Sequence, residues 1–359
     1  MSPAPKTRVL VVDDSAIVRK VISEILAAQP DIEVVGTAPD PFVARDKILA
    51  LHPDVLTLDI EMPRMDGLTF LDRLMRHYPL PVVVISSLTQ SSTRAALEAL
   101  NRGAVDVLAK PGGPYSVGDL REDLPRRVRA AAHARLRRHD AQAPPPAQSQ
   151  LQAQTQARPA PARLSAAAPG RLIAIGASTG GTQAIEHVLR ALPASVPPIV
   201  ITQHIPAGFS AAFAQRLDHI CTLHVREAQD GESLQPGTAF VAPGNHHLLV
   251  ERSPSGGWRI RLDDGPKVCY QRPSVDVMFR SVAASAAGRA TAILLTGMGS
   301  DGAEGMLEML RAGAHTIAQD EDSCVVFGMP REAIRLGAAQ RVLALSAIAP
   351  ALLRDPLAA

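Results

Sequence analysis

Two sets of residues in this 359-residue sequence have the types and spacing of working chemistry. In the first, Asp13 and Asp14 follow the run RVLVV, Asp59 ends VLTLD, Ser86 ends VVVIS, and Lys110 closes DVLAK just before Pro111. Clustered carboxylates attract a hard divalent cation such as magnesium, which takes oxygen ligands and screens an incoming phosphoryl group. A carboxylate is an established phosphoryl acceptor, and Asp59 stands where it can attack phosphorus. Ser86 and Lys110 are then placed to bind the phosphoryl oxygens. The competing reading is capping: an isolated aspartate after a strand more often caps the next helix, and Asp14 or Ser15 can do that. Five chemically matched groups at successive strand ends are much harder to obtain by accident.

The second set begins at Gly176–Gly180, GASTG, directly after the run RLIAI. Small residues let the chain turn sharply, expose the Ser178 hydroxyl and bring backbone N–H groups near a bound oxyanion, with the following helix N-terminus adding favourable partial charge. A glycine-rich turn after a strand also fits a phosphate or dinucleotide cradle, and the turn alone does not choose between them. The rest of the domain does. Serine at neutral pH needs a base and a group to orient that base; His204 follows PIVITQ and Asp301 follows AILLTGMGS, while no lysine stands in the turn to hold a phosphate. Most of the 11 histidines read as surface or packing residues, and His204 stands out by location.

Positioning these groups requires strands whose carboxyl ends converge, which is the geometry of a doubly wound α/β sheet. RVLVV, EVVGT, VLTLD, VVVIS and DVLAK predict five parallel strands alternating with helices. RLIAIG, PIVITQ, TLHVRE, AILLTG, HTIAQ and RVLAL predict a second, mainly parallel sheet. The stretch Ala239 to Leu262 has turns too short for helices and predicts an antiparallel hairpin. Between the two regions, residues 144–169 are rich in Pro, Ala and Gln without aromatic residues, which predicts a flexible linker. The expected organisation is therefore a first domain at 6–124, a helix end and linker at 125–169, and a second domain at 170–359.

Charge narrows the partners. Residues 1–124 carry 13 Lys/Arg against 17 Asp/Glu, 125–169 carry 8 against 1, and 170–359 carry 16 against 17. The basic surplus is confined to the middle, where RRVRAAAHARLRR reads as a solvated helix end, so nucleic acid is not an expected partner. A transcriptional output domain would need a basic recognition helix, and the last 190 residues are near neutral. Apolar runs are too short for a membrane span. Three scattered cysteines and a start without a cleavable apolar stretch point to a reducing cytoplasm.

Residues VVDDS, LDIEMPRMDG, VISS and AKP resemble the receiver domain of two-component signalling. IGASTGGTQAI, ITQHIPAGF, VAPGNHHLL, RPSVDVMF, LTGMGSDGAEGM and SCVVFGMPREAI resemble the catalytic domain of protein-glutamate methylesterase, the CheB family of bacterial chemotaxis. The resemblance implies a five-stranded receiver of flavodoxin-like fold joined to a doubly wound esterase domain. It implies phosphorylation at Asp59, with Asp14 and Asp59 as magnesium ligands and Asp13 contributing through water. It further implies Ser178 as nucleophile, His204 as general base and then acid, Asp301 as the group orienting the imidazole, and the Met298 N–H, aided by Thr179, as oxyanion donors. The implied substrates are glutamate γ-methyl esters and glutamines of methyl-accepting chemoreceptors, with a chemotaxis histidine kinase as phosphodonor. No metal or organic cofactor is needed for either hydrolysis. Phosphorylation is expected to relieve a restraint that the receiver places on the esterase.

Overall fold

Short runs of β-branched and aliphatic residues, apolar on both faces, form buried parallel strands that must be covered by helices on either side. In the computed structural model, which describes residues 5–111, 116–136, 170–254 and 256–354, they do so twice. The first unit runs β1 (Thr7–Val12), α1 (Ala16–Ala27), β2 (Ile32–Ala38), α2 (Pro41–Leu51), β3 (Val55–Leu58), α3 (Gly67–His77), β4 (Val82–Ser86), α4 (Gln90–Asn101), β5 (Asp106–Ala109) and α5 (Val117–Ala132). Its sheet order is β2-β1-β3-β4-β5, all parallel. Each helix starts where a short polar side chain captures a free N–H of the first turn: Ser15, Asp40, Asp66, Thr89, and Ser116 in a reciprocal box with Asp119.

The second unit comprises β6 (Leu172–Ala177), α6 (Gly181–Arg190), β7 (Ile199–Gln203), α7 (Phe209–Ile220), β8 (His224–Glu227), β9 (Thr238–Val241), β10 (His247–Arg252), β11 (Trp258–Asp263), α8 (Val275–Ala286), β12 (Ala290–Leu294), α9 (Ala303–Arg311), β13 (His315–Gln319), α10 (Met329–Arg335), β14 (Arg341–Leu343) and α11 (Leu345–Arg354). Seven of these nine strands form a parallel sheet in the order β14-β13-β12-β6-β7-β9-β8. One face packs Ile175, Ile201, Phe209 and Phe213 into an apolar cluster continuous with the core of the first unit. The other packs Phe240, Met278, Phe279 and Met306.

Two sequence expectations change in detail. The antiparallel hairpin is β10 with β11, paired from His247↔Asp263 to Arg252↔Trp258. The preceding AFV segment instead belongs to β9, which pairs in parallel with β7 and β8 because its four residues are fully buried between sheet neighbours. The basic run after Pro125 is not a solvated helix end throughout: α5 continues to Ala132 and Arg127 is 7% exposed. Residues 144–169, expected to form the linker, lie outside the described residues. Among the described residues no helix is long and apolar enough to cross a membrane.

Candidate functional site

At the carboxyl end of the first sheet, Asp13, Asp14 and Asp59 bring carboxylate oxygens within 4.8 Å of one another. Asp13 and Asp59 are each 1% exposed, whereas Asp14 faces solvent. Lys110 Nζ lies 2.9 Å from Asp13 Oδ2 and 2.8 Å from Asp59 Oδ2, and Ser86, fully buried, donates to the Ser92 carbonyl at 3.3 Å. The capping role falls to Ser15, whose own N–H donates to Asp13 Oδ1 at 2.8 Å, so Asp13 turns Oδ2 toward Lys110 and Asp14 caps nothing. Burial pushes the Asp59 carboxyl up to about 6, opposed by Lys110 and reinforced by the Asp13 charge. Three hard oxygen donors with one charge facing solvent suit a magnesium ion.

The raised Asp59 has a consequence for stability. A folded-state value above the unfolded 3.8 means that the contribution is fully present below pH 3.8 and is lost as pH rises through about 6. Asp59→Asn, which removes the charge and keeps the shape, is therefore expected to exceed the parent by about 1–2 kcal/mol at pH 8 and by only a small fraction of that at pH 4. Denaturant melts at the two pH values check this; equal gains at both would mean that the charge is not the cause.

In the second sheet β12, β6 and β7 are neighbours, and Ser178, His204 and Asp301 follow their carboxyl ends. Ser178 N donates to the Thr296 carbonyl at 3.0 Å and His204 N to the Ala177 carbonyl at 3.1 Å, which extends the ladder just far enough to fix both residues. Gly180 takes φ +75° to turn the chain into α6, and a Cβ there would lie 2.6 Å from the Val325 Cβ. That space is filled by the protein's own side chain, which disfavours a phosphate cradle. Gly297 packs against Ser178 so closely that a Cβ would sit 2.7 Å from the Ser178 Cβ, which lets the Gly297–Met298 backbone approach it. Met298 itself is 37% exposed.

His204 Nε2 lies 2.7 Å from Asp301 Oδ2, both residues buried. A carboxylate accepts, so Nε2 carries the proton and Nδ1 is left as the basic nitrogen. Nδ1 is buried without a hydrogen-bond partner among the described residues. Asp301 also accepts from Ser274 Oγ (2.7 Å), Val275 N (2.7 Å) and Asp276 N (3.0 Å), the N-cap and first turn of α8. Burial works to raise the Asp301 carboxyl, yet the His204 hydrogen bond and charge, with the Asp276 N–H and Ser274 hydroxyl, outweigh it and hold the group below the usual range. Asp276 goes the other way. Burial lifts it to about 6, opposed by the Gly305 N–H and reinforced by the Asp301 charge.

The first unit closes over this crevice. Asp106 Oδ2 accepts from both Arg127 Nη1 and Thr179 Oγ1 at 2.6 Å, and Arg127 Nη2 donates to the His204 carbonyl at 3.0 Å. The Thr179 hydroxyl is thus engaged with Asp106. The cavity left between α5, His204 and Tyr270 is about 60 Å³, room for a few waters and not for a protein segment. Sequence reasoning did not single out Asp106, Arg127, Ser274 or Asp276. The motif RPSVDVMF contained the last two without indicating that their N–H and hydroxyl groups aim at Asp301.

The CheB methylesterase family matches residues 173–352, and the response regulator receiver domain family matches residues 9–119. The chain is 52% identical over 97% of its length to a protein-glutamate methylesterase/protein-glutamine glutaminase 2 of Syntrophus aciditrophicus, covering 99% of that protein. It is 54% identical over 98% of its length to a protein-glutamate methylesterase/protein-glutamine glutaminase 4 of Anaeromyxobacter dehalogenans, covering 97% of it. Among solved structures, the CheB methylesterase catalytic domain of Thermotoga maritima matches with 38% identity and a TM-score of 0.50, over 52% of this chain and 98% of that one.

Proposed function

The chain belongs to the CheB methylesterase family and carries a response regulator receiver, and from that premise we propose that it hydrolyses glutamate γ-methyl esters on chemoreceptors, and deamidates receptor glutamines, under the control of phosphorylation at Asp59. The observation that supports this most directly is the placement of Ser178, His204 and Asp301 after three adjacent strands, with the Nε2 proton of His204 committed to Asp301. His204 Nδ1 takes the Ser178 proton as the oxygen attacks the ester carbonyl carbon, and the imidazolium formed is stabilised by Asp301. The carbonyl oxygen becomes an oxyanion received by backbone N–H groups, that of Met298 among them. His204 then returns the proton to methoxide, so methanol leaves and an acyl-enzyme remains. Water repeats the sequence to regenerate Ser178 and leave a carboxylate. A glutamine differs only in its leaving group, which departs as ammonia after protonation by His204.

A receiver is phosphorylated in a magnesium-dependent reaction. Asp13, Asp14 and Asp59 would hold the ion, which supplies charge neutralisation for the incoming phosphoryl group. Asp59 attacks phosphorus, the kinase histidine leaves, and Ser86 and Lys110 bind the transferred group. Ser86 then gives up its bond to the Ser92 carbonyl; it pairs with Ala109 at the carboxyl end of β5, and Asp106 stands at the other end of that same four-residue strand, opposite Val83. Moving Asp106 and Arg127 away would free the Thr179 hydroxyl for the oxyanion and reopen the crevice.

A tenfold activation needs about 1.4 kcal/mol between closed and open forms, within reach of a buried ion-pair network. A small phosphodonor with magnesium is expected to raise methanol release from methyl-labelled receptor membranes at least tenfold, and to do nothing for Asp59→Ala. Arg127→Ala is expected to raise the unphosphorylated rate by a similar factor. No response in the parent and no rise in the variant would sink the regulatory reading even with the triad intact.

A further inference from the structure

The turn between β11 and α8 borders the crevice opposite the receiver, and α5 is laid across it. Lys267 Nζ pairs with Asp119 Oδ1 at 3.3 Å and Glu122 Oε2 at 3.0 Å, two carboxylates three residues apart and so on one helix face. One turn further along α5, the Arg126 guanidinium sits 5.3 Å from the centre of the Tyr270 ring. The next residue, Arg127, reaches the carbonyl of His204. A single helix therefore runs from Lys267 past Tyr270 to the catalytic histidine. Tyr270 keeps 71% of its surface exposed even there, an unusual place for a large ring. Cys269 and Tyr270 also both take left-handed backbone, φ +49° and +64°, which non-glycine residues adopt at a cost and retain where a site requires it. The same turn brings Cys269 within 4.8 Å of Asp276 and Asp301.

We propose that Lys267 and Tyr270 form the docking surface for the protein substrate, an acidic helical segment, and that the Asp119/Glu122 face of α5 occupies this surface in the closed form as an internal stand-in for that substrate. The inference rests on the reading of the enzyme as acting on glutamate esters. Each turnover leaves a glutamate carboxylate on the substrate, so the segment presented to the enzyme carries negative charge wherever a site has already been processed. Lys267 meets such a charge pattern on α5, in helical spacing and beside the triad. Tyr270 supplies a rigid aromatic contact of the kind that anchors interfaces. Receiver and substrate then compete for one surface, and inhibition is competitive in form.

The test uses the full chain activated by a small phosphodonor with magnesium. Lys267→Ala is expected to raise KM for methyl-labelled receptor membranes about threefold to fivefold, and Tyr270→Asn, chosen because asparagine tolerates the left-handed backbone, about tenfold. In both, kcat and turnover of a small aryl ester stay within about twofold. Without phosphodonor, Lys267→Ala raises the basal rate. The double change Asp119→Asn with Glu122→Gln also raises the basal rate but leaves the activated KM unmoved, because it alters the stand-in and not the surface. An activated KM unchanged in both Lys267→Ala and Tyr270→Asn would overturn the proposal and reduce the turn to a receiver contact. Failure of the underlying reading looks different: the activated parent would turn over the aryl ester and release no methanol from receptor membranes.

Discussion

Replacing Ser178 or His204 by alanine is expected to lower ester hydrolysis by about 10⁴ to 10⁶, the loss found when members of a nucleophile–base unit are removed singly. The two variants should fall by similar amounts, and the double variant no further, because neither residue works without the other. Ser178→Ala removes the attacking oxygen. His204→Ala leaves a serine hydroxyl that at neutral pH is a weak nucleophile. The surviving rate would come from the oxyanion donors around Met298 and from substrate binding. A fluorophosphonate should label the parent at Ser178 alone, His204→Ala very slowly and Ser178→Ala not at all. Near-parent methanol release from Ser178→Ala would remove the nucleophile assignment outright.

The groups in this prediction are legible in the sequence because parallel strands buried on both faces read as uninterrupted apolar runs, and the residue after each run falls at the sheet's carboxyl end. Asp59, Ser178 and His204 directly follow their strands and Ser86 ends its own, whereas Asp301 is reached from β12 only through the glycine-rich turn TGMGS. Pairings between residues distant along the chain are not legible in the same way. Arg127 meets the carbonyl of His204 across 77 residues and Thr179 meets Asp106 across 73, and neither pairing leaves a periodic trace. Composition even points the other way for Arg127, since a run of arginines and alanines is the usual signature of a solvated helix. The β9 segment reads as part of the hairpin for a related reason. Its length and apolar content fit either arrangement, and only the alignment of β9 beside β7 decides it.

Asp301→Asn is expected to cost about 10³ to 10⁴ in kcat/KM, although the replacement has the same shape. The reason lies in the groups around the carboxylate. Oδ1 receives the Ser274 hydroxyl and the Asp276 N–H, and Oδ2 receives the Val275 N–H and His204 Nε2. An amide has one oxygen, so whichever way the substituted side chain turned, its NH₂ would face a fixed backbone N–H. If the NH₂ faces His204, Nε2 must become an acceptor, the proton moves to Nδ1, and the nitrogen that should receive the Ser178 proton is already occupied. If it faces Ser274 and Asp276, the hydroxyl can rotate away but the N–H cannot, at about 1–3 kcal/mol of stability. Either arrangement also lacks the negative charge that stabilises the imidazolium. In the parent, the depressed Asp301 value means that its stabilising contribution is present above the unfolded-state value of 3.8 and is lost only as pH falls through the lower folded value. Asp301 therefore stays ionised throughout the working range, and raising the pH should not rescue the variant. A rate for Asp301→Asn that climbed toward the parent's between about pH 7 and 9 would show that the charge, and not the tautomer it selects, had been misassigned.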